Sequence, residues 1–239
     1  MRTSPIVIAS ILAMGLAVTA HAAKPVPAPP TSGPTQITAC QDITQPGAYV
    51  LVNNLTATAN DCIRVLADVV SIDLAGFTID MTGGPSPATA GIRNIDPGAG
   101  FADGLSVRGG TITGFASGIL IEGGIGHRIE GVRVVGNTVE GIRIEFGGFP
   151  PQGVANMIKD NVIVGNGTGA GGRGGLVFNC PGAILGNIIA DNGPTLPTTA
   201  EEMATHLGEE QFVGTSCLAT CTFMDNVPNL DANDFTACF

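Results

Sequence analysis

The chain has 239 residues, of which 20 are acidic and 10 basic, for a net charge of −10 at pH 7. This negative balance excludes nucleic acid as a natural partner, because a polyanion is repelled. After the N-terminal region no stretch reaches the ~18 uninterrupted apolar residues of a membrane span, so we expect none.

The N-terminus has the pattern of an export signal. A basic start is followed by an apolar stretch from Ile6 to Val18 and by the small-residue site Ala20-His21-Ala22. We therefore predict a signal peptide at 1–22 and a periplasmic or secreted protein. Residues 23–36 are rich in Pro and Ala and predict a linker, which leaves 37–239 as the folded domain.

The folded part repeats one pattern, in which an apolar residue is followed five positions later by another. The pattern recurs at intervals of 22 to 34 residues, as expected of a chain that winds once per repeat. Six copies predict about six coils. The pairs are Leu74/Ile79, Val107/Ile112, Ile129/Val134, Ile158/Ile163, Ile184/Ile189 and Leu218/Phe223.

Each coil carries a second strand signal, a small residue followed by an aliphatic one. These pairs are Cys62-Ile63, Gly91-Ile92, Gly118-Ile119, Gly141-Ile142 and Gly175-Leu176. Residues 37–55 predict a short strand pair that caps the first coil, since an open end would expose core and backbone. A capping box at Thr199 and Glu202 predicts a short helix over Thr198–Glu210, inserted before the last coil.

Asparagines recur at fixed offsets from the frame. Asn137, Asn166, Asn192 and Asn226 follow each first member by eight positions, and Asn161 and Asn187 follow by three. Stacked coils place such amides about 4.8 Å apart, so we predict hydrogen-bonded ladders.

Six cysteines in an exported chain favour disulfides. Our predicted pairing is Cys40–Cys62, Cys180–Cys217 and Cys221–Cys238, although spacing does not fix connectivity. The spacing of Cys217 and Cys221 is also compatible with zinc, but no second close pair accompanies it, so we predict no metal site.

Two segments resemble a known group of proteins. Residues 37–51 (ITACQDITQPGAYVL) and 70–79 (VSIDLAGFTI), with later Gly-Ile-x-Ile and Ile-x-x-Asn units, resemble exported bacterial right-handed parallel β-helix proteins of the pectin-lyase-like fold superfamily. The resemblance implies an all-β, right-handed, single-stranded parallel β-helix. It implies no activity, because the catalytic motifs of polygalacturonases, pectate lyases and alginate epimerases are missing or incomplete.

Stacking places residues of equal offset side by side. Arg108, Glu130 and Lys159 then form an exposed column of alternating charge, which is explained as a salt-bridge ladder. Arg64 and Arg93 share a second column, which Leu120 interrupts before Arg143. They could hold a sugar carboxylate or simply face solvent.

A third column places Glu122 beside Glu145, which is unfavourable unless something relieves the repulsion. Arg143, His127, a bound calcium ion or a raised pKa on one glutamate are the alternatives. Two carboxylates with an Arg and a His also suit acid–base work on a uronate, so the candidate catalytic set is Glu122, Glu145, Arg143 and His127. A turn histidine is otherwise a surface residue. No cofactor is predicted, with calcium as the one exception.

Three functions fit these features. The first is a non-catalytic scaffold or binding protein of the envelope or extracellular space. The second is a lyase, hydrolase or epimerase that acts on an acidic polysaccharide. The third is an assembly partner of another envelope protein, through Thr198–Glu210. The sequence leaves open whether the protein is an enzyme.

Overall fold

The computed structural model describes residues 33–84, 88–95, 102–144, 155–169, 172–178, 182–193, 212–214 and 221–226. Within these ranges the chain forms strands and turns, with no helix. The predicted signal peptide, most of the linker and the predicted helix at Thr198–Glu210 lie outside the described residues.

The strands form three sheets, and every described strand pair is parallel. Sheet 1 contains β1 (Thr35–Ile37), β3 (Gly47–Leu51), β6 (Val70–Asp73), β9 (Ser106–Arg108), β12 (Arg128–Glu130), β15 (Asn156–Lys159), β18 (Gly182–Leu185) and β21 (Cys221–Met224). Sheet 2 contains β2 (Gln41–Ile43), β5 (Ile63–Val65), β8 (Ala90–Asn94), β11 (Ser117–Ile121), β14 (Glu140–Ile144), β17 (Gly174–Phe178) and β20 (Phe212–Gly214). Sheet 3 contains β4 (Leu55–Ala57), β7 (Thr78–Met81), β10 (Thr111–Thr113), β13 (Arg133–Val135), β16 (Val162–Val164) and β19 (Ile188–Ala190).

The chain visits sheet 1, sheet 3 and sheet 2 in turn and then returns to sheet 1, so each strand lies beside its equivalent in the next turn. The result is an all-β parallel solenoid of about five turns, which confirms the predicted fold class. Strand β1 begins at Thr35, two residues before the predicted domain boundary. The right-handed winding stays a prediction.

The predicted apolar frame forms the core of sheets 1 and 3. Four successive turns stack as predicted, with Val107, Ile129, Ile158 and Ile184 in one column and Ile112, Val134, Ile163 and Ile189 in another. All eight side chains are buried. Sheet 2 adds the predicted column of Ile63, Ile92, Ile119, Ile142 and Leu176.

The frame is wrong at its two ends. Val107 lies beside Ile72 rather than Leu74, because the turn between β6 and β7 is longer by two residues. Leu74 is nevertheless buried. It packs over Gly110 of the next turn, and a Cβ at position 110 would collide with the Leu74 side chain. At the other end Phe223 lies beside Ile184, so it starts the last repeat instead of ending it. Leu218 lies outside the described residues.

Asparagine ladders connect successive turns at two corners, a corner being the turn between two sheets. Asn137, Asn166 and Asn192 form one ladder, in which the amide oxygens of Asn166 and Asn192 each accept from the asparagine of the preceding turn at 2.9 to 3.1 Å. Asn161 and Asn187 form the other, and Asn226 extends it. Asn226 was predicted in the first ladder, and it belongs to the second because Phe223 starts the last repeat.

A disulfide joins Cys40 to Cys62, as predicted. It ties the residue before β2 to the residue before β5, so it links the first turn to the second. The predicted pairs Cys180–Cys217 and Cys221–Cys238 involve residues that lie wholly or partly outside the described ranges.

Candidate functional site

The outer face of sheet 2 carries the predicted arginine column. In the register of the sheet, Arg64 lies beside Arg93, Arg93 beside Leu120, and Leu120 beside Arg143. This confirms the predicted arginine column and its interruption. A second column runs next to it and contains Ala90, Ser117 and Glu140.

A groove of about 760 Å³ opens at the N-terminal end of this face. Its polar wall contains Asp42, Asp61, Arg64 and Arg93, and residues 56–60 form another side. Two guanidinium groups and two carboxylates therefore lie in one open cleft. Such a lining favours a polar ligand that exchanges hydrogen bonds with both kinds of group.

The two arginines of the groove are held differently. Arg93 Nε lies 3.2 Å from Asp61 Oδ2 in a half-buried ion pair, and Arg93 also donates to the carbonyl of Ala88. Asp61 in turn accepts the amide of Ala90 at 2.8 Å. Arg64 lies 3.5 Å from Asp42, with the two side chains 39% and 47% exposed. Arg93 is thus held in one position in the wall of the groove, whereas Arg64 can change partners at little cost in free energy.

A buried carboxylate, that of Glu140, lies at the start of strand β14. Ser117 Oγ donates to Glu140 Oε1 at 2.7 Å, and Arg143 Nη1 lies 3.7 Å from the same oxygen. Glu140 is only 1% exposed, and its Oε2 has no hydrogen-bond partner among the described residues. Sequence reasoning missed this residue. Its signal was its place directly before the Gly141-Ile142 strand unit, in register with Ser117.

The predicted catalytic set is only partly described. Glu122 follows β11 and is half-buried, and its amide donates to the carbonyl of Asn94 at 3.4 Å. Glu145 lies outside the described residues, so its adjacency to Glu122 stays a prediction. Arg143 lies on sheet 2 as expected, where its guanidinium lies near the carboxylate of Glu140.

His127 lies at the corner between sheets 2 and 1, and it is fully buried. The predicted surface position is therefore wrong. Nε2 donates to the carbonyl of Gly123 at 2.9 Å, and Nδ1 accepts the amide of Leu105 at 3.2 Å, which defines the neutral tautomer. Burial lowers the pKa of His127, against smaller raising effects from the Gly123 carbonyl and the Asp103 carboxylate. A catalytic role stays a prediction, although both ring nitrogens are already occupied.

The charge column on sheet 1 is present, with different pairs from those expected. Glu130 lies in register with Arg108 and Lys159. Lys159 pairs with Glu130 at 3.3 Å, whereas Arg108 pairs with Asp73 of the preceding turn at 2.7 Å. Hydrogen bonding from Arg128 lowers the pKa of Glu130. These contacts satisfy the charges without a ligand.

Metal and membrane signatures were also sought over the described ranges. No group of three or more His, Cys, Asp or Glu side chains there is placed to hold a metal ion. The same part of the chain contains no helix with the length and apolar character needed to cross a membrane.

Comparisons of the chain with protein-family models, with curated proteins and with solved structures each found no match. The chemistry of the site therefore has to be judged from its own geometry.

Proposed function

We propose that the chain is an exported, non-catalytic binding or scaffold protein of the periplasm or extracellular space. In this proposal it is a right-handed β-helix of the pectin-lyase-like superfamily, and the groove beside Arg64 and Arg93 is its ligand-binding surface. The signal sequence, the Cys40–Cys62 disulfide and the resemblance of residues 37–51 to exported β-helix proteins support this assignment.

The observation that carries the proposal is the pairing of charges in the groove. Asp42 is paired with Arg64, and Asp61 with Arg93. A general base needs a carboxylate within reach of the proton that it removes, and both carboxylates of the groove already face a guanidinium group. The groove is therefore better suited to holding a ligand than to transforming it.

A second function is favoured by Glu140 and the arginine column. In this alternative the protein acts on an acidic polysaccharide, with arginines that hold uronate carboxylates and Glu140 as an acid or base. The unpaired Oε2 of Glu140 supports it. The near-complete burial of Glu140 opposes it, because a catalytic group has to reach its substrate.

A panel of neutral and uronic-acid polymers, with and without calcium, separates the two functions. Binding is measured by calorimetry, and turnover by unsaturated products and new reducing ends. We expect binding of an anionic glycan without turnover, weakened about tenfold by Arg64→Ala, the value of one charged hydrogen bond. Arg108→Ala removes an exposed arginine that also pairs with an aspartate, on sheet 1 and away from the groove, and it should leave binding unchanged.

Two results would contradict the proposal. Turnover of any polymer that is lost in Glu140→Gln would establish the enzyme instead. Equal weakening by Arg64→Ala and Arg108→Ala would show that binding reflects overall charge and not the groove.

A further inference from the structure

The third corner of the solenoid has a ladder of its own, and His127 takes the place of an asparagine in it. Leu105 and His127 directly precede β9 and β12, and Asn156 is the first residue of β15. In the register of sheet 1 the three residues occupy equivalent positions in successive turns. The amide of Leu105 donates to His127 Nδ1 at 3.2 Å, and the amide of His127 donates to Asn156 Oδ1 at 2.9 Å. The same contact joins Val132 to Asn161 at another corner, at 2.9 Å.

An imidazole differs from an amide in one respect that matters here. An asparagine oxygen accepts a hydrogen bond at every pH, whereas Nδ1 accepts only while the ring is neutral. Protonation would turn Nδ1 into a donor that faces the amide of Leu105. A buried amide left without an acceptor costs about 1–3 kcal/mol.

The loop of residues 123–126 packs over the ring. A Cβ on Gly124 would lie 2.8 Å from His127 Nε2 and 3.0 Å from Asp103 Oδ1, so the loop packs directly on both groups. Asp103 Oδ1 also accepts the amide of Ile125 at 2.9 Å. These contacts hold the ring in place, so the contact that protonation removes is the one with the Leu105 amide.

The surroundings of His127 favour its neutral form. Asp103, from the segment before β9, is the acid that acts on the ring, and Arg128 of β12 is engaged with Glu130. Leu105 and Asn156, from the turns on either side, carry no charge. Desolvation outweighs Asp103 and lowers the pKa of the ring below 6.5.

We propose that His127 is an acid-sensitive element, whose protonation breaks its hydrogen bond with Leu105 and releases the Leu105 amide from the ladder at this corner. The pKa of His127 is lowered in the folded state, so the stabilisation that the neutral ring gives the fold is complete above about pH 6.5. It is lost as the pH falls from there towards the lower pKa of the folded state. The release is local, because the two asparagine ladders do not titrate. It does not depend on what the groove binds.

Hydrogen exchange from about pH 8 to about pH 5 tests the proposal, with rates corrected for intrinsic exchange. We expect the protection of the Leu105 amide to fall about tenfold or more over this range in the wild type. The amide of Val132, which donates to Asn161, is the internal control and should keep its protection.

His127→Asn is the matched variant, because its amide oxygen can still accept from Leu105 but does not titrate. Its Leu105 amide should stay protected across the range. Equal acid-dependent loss in His127→Asn, or constant protection in the wild type, would overturn the proposal. If the variant does not fold, an NMR titration of His127 decides, with His21→Gln and His206→Gln to assign the ring. The ring and the Leu105 amide should then shift with one midpoint below 6.5, and independent shifts would contradict the proposal.

Discussion

Val69 shows how the tight corners constrain single residues. Its φ is 55°, in the left-handed region, although it is β-branched and 70% exposed. Gly104 and Gly126 occupy the equivalent position in the next two turns, with φ of 70° and 73°. Glycine adopts this conformation freely, whereas a β-branched residue is strained by about 1–3 kcal/mol. Little packing of Val69 offsets this strain.

Val69→Gly should therefore raise the free energy of unfolding by about 1 kcal/mol, which is the relief of strain less the greater freedom of glycine in the unfolded chain. Urea denaturation measures the change. Val52→Gly is the control, since Val52 is also exposed but does not have a positive φ, and it should be neutral or destabilising. A loss of stability in Val69→Gly would show that the Val69 side chain makes contacts that outweigh the strain.

The ladders act at the scale of whole strands, because one asparagine serves several backbone and side-chain groups. Asn166 Oδ1 accepts from the amide and the Nδ2 of Asn137, and Asn166 Nδ2 donates to the carbonyl of Val134 at 3.0 Å and to Asn192. All three asparagines are buried. The ladder therefore fixes the register between β13, β16 and β19 where the chain leaves sheet 3.

Asn166→Ala should destabilise the protein by about 2–4 kcal/mol, since it leaves at least one buried donor and one buried acceptor unpaired. Thermal and urea unfolding give the value. Asn53→Ala is the control: its amide donates to the carbonyls of Thr38 and Asn54 at the exposed surface, and its removal should change stability by about 0.5 kcal/mol or less. Similar losses in the two variants would contradict a special role for the buried ladder.

The repeat could be predicted from the sequence because each turn buries one aliphatic residue per strand, and this requirement recurs whatever the loop length. The register between strands of neighbouring turns could not be predicted where the turn between two strands changed length. Leu74 and Ile72 are both apolar and buried, so only the pairing with Val107 distinguishes them. Glu140 was missed for a different reason: its register with Ser117 follows from the predicted strand units, but the sequence pattern does not show that the carboxylate is buried.

The burial of side chains at the corners could not be predicted from the sequence either. His127 follows four residues that include three glycines, a pattern typical of an exposed turn. The glycines instead allow the loop to fold over the ring, and the ring is buried because the loop fits against it. A histidine expected at the surface is thus a buried hydrogen-bond acceptor, which only the stacking of turns reveals.

At the scale of the whole molecule, each turn contacts only the turns beside it, so the stability of a solenoid is a sum of neighbouring interactions and its ends fray first. Strands β1 and β2 are the terminal strands of sheets 1 and 2, and each pairs on one side only within the described residues. The Cys40–Cys62 disulfide closes this end by joining the first turn to the second. Its effect should therefore be concentrated there.

Replacing both cysteines, Cys40→Ser with Cys62→Ser, should lower stability by about 3 kcal/mol, as expected for a disulfide that closes a loop of 22 residues. Hydrogen exchange should show the loss of protection in β1, β2 and β3, with β14 and β17 unchanged, because the perturbation decays from turn to turn. The double variant is preferable to chemical reduction, which would also act on the other cysteines. Uniform loss of protection along the solenoid would mean that it unfolds as one cooperative unit, and the disulfide would then stabilise the whole molecule instead of its open end.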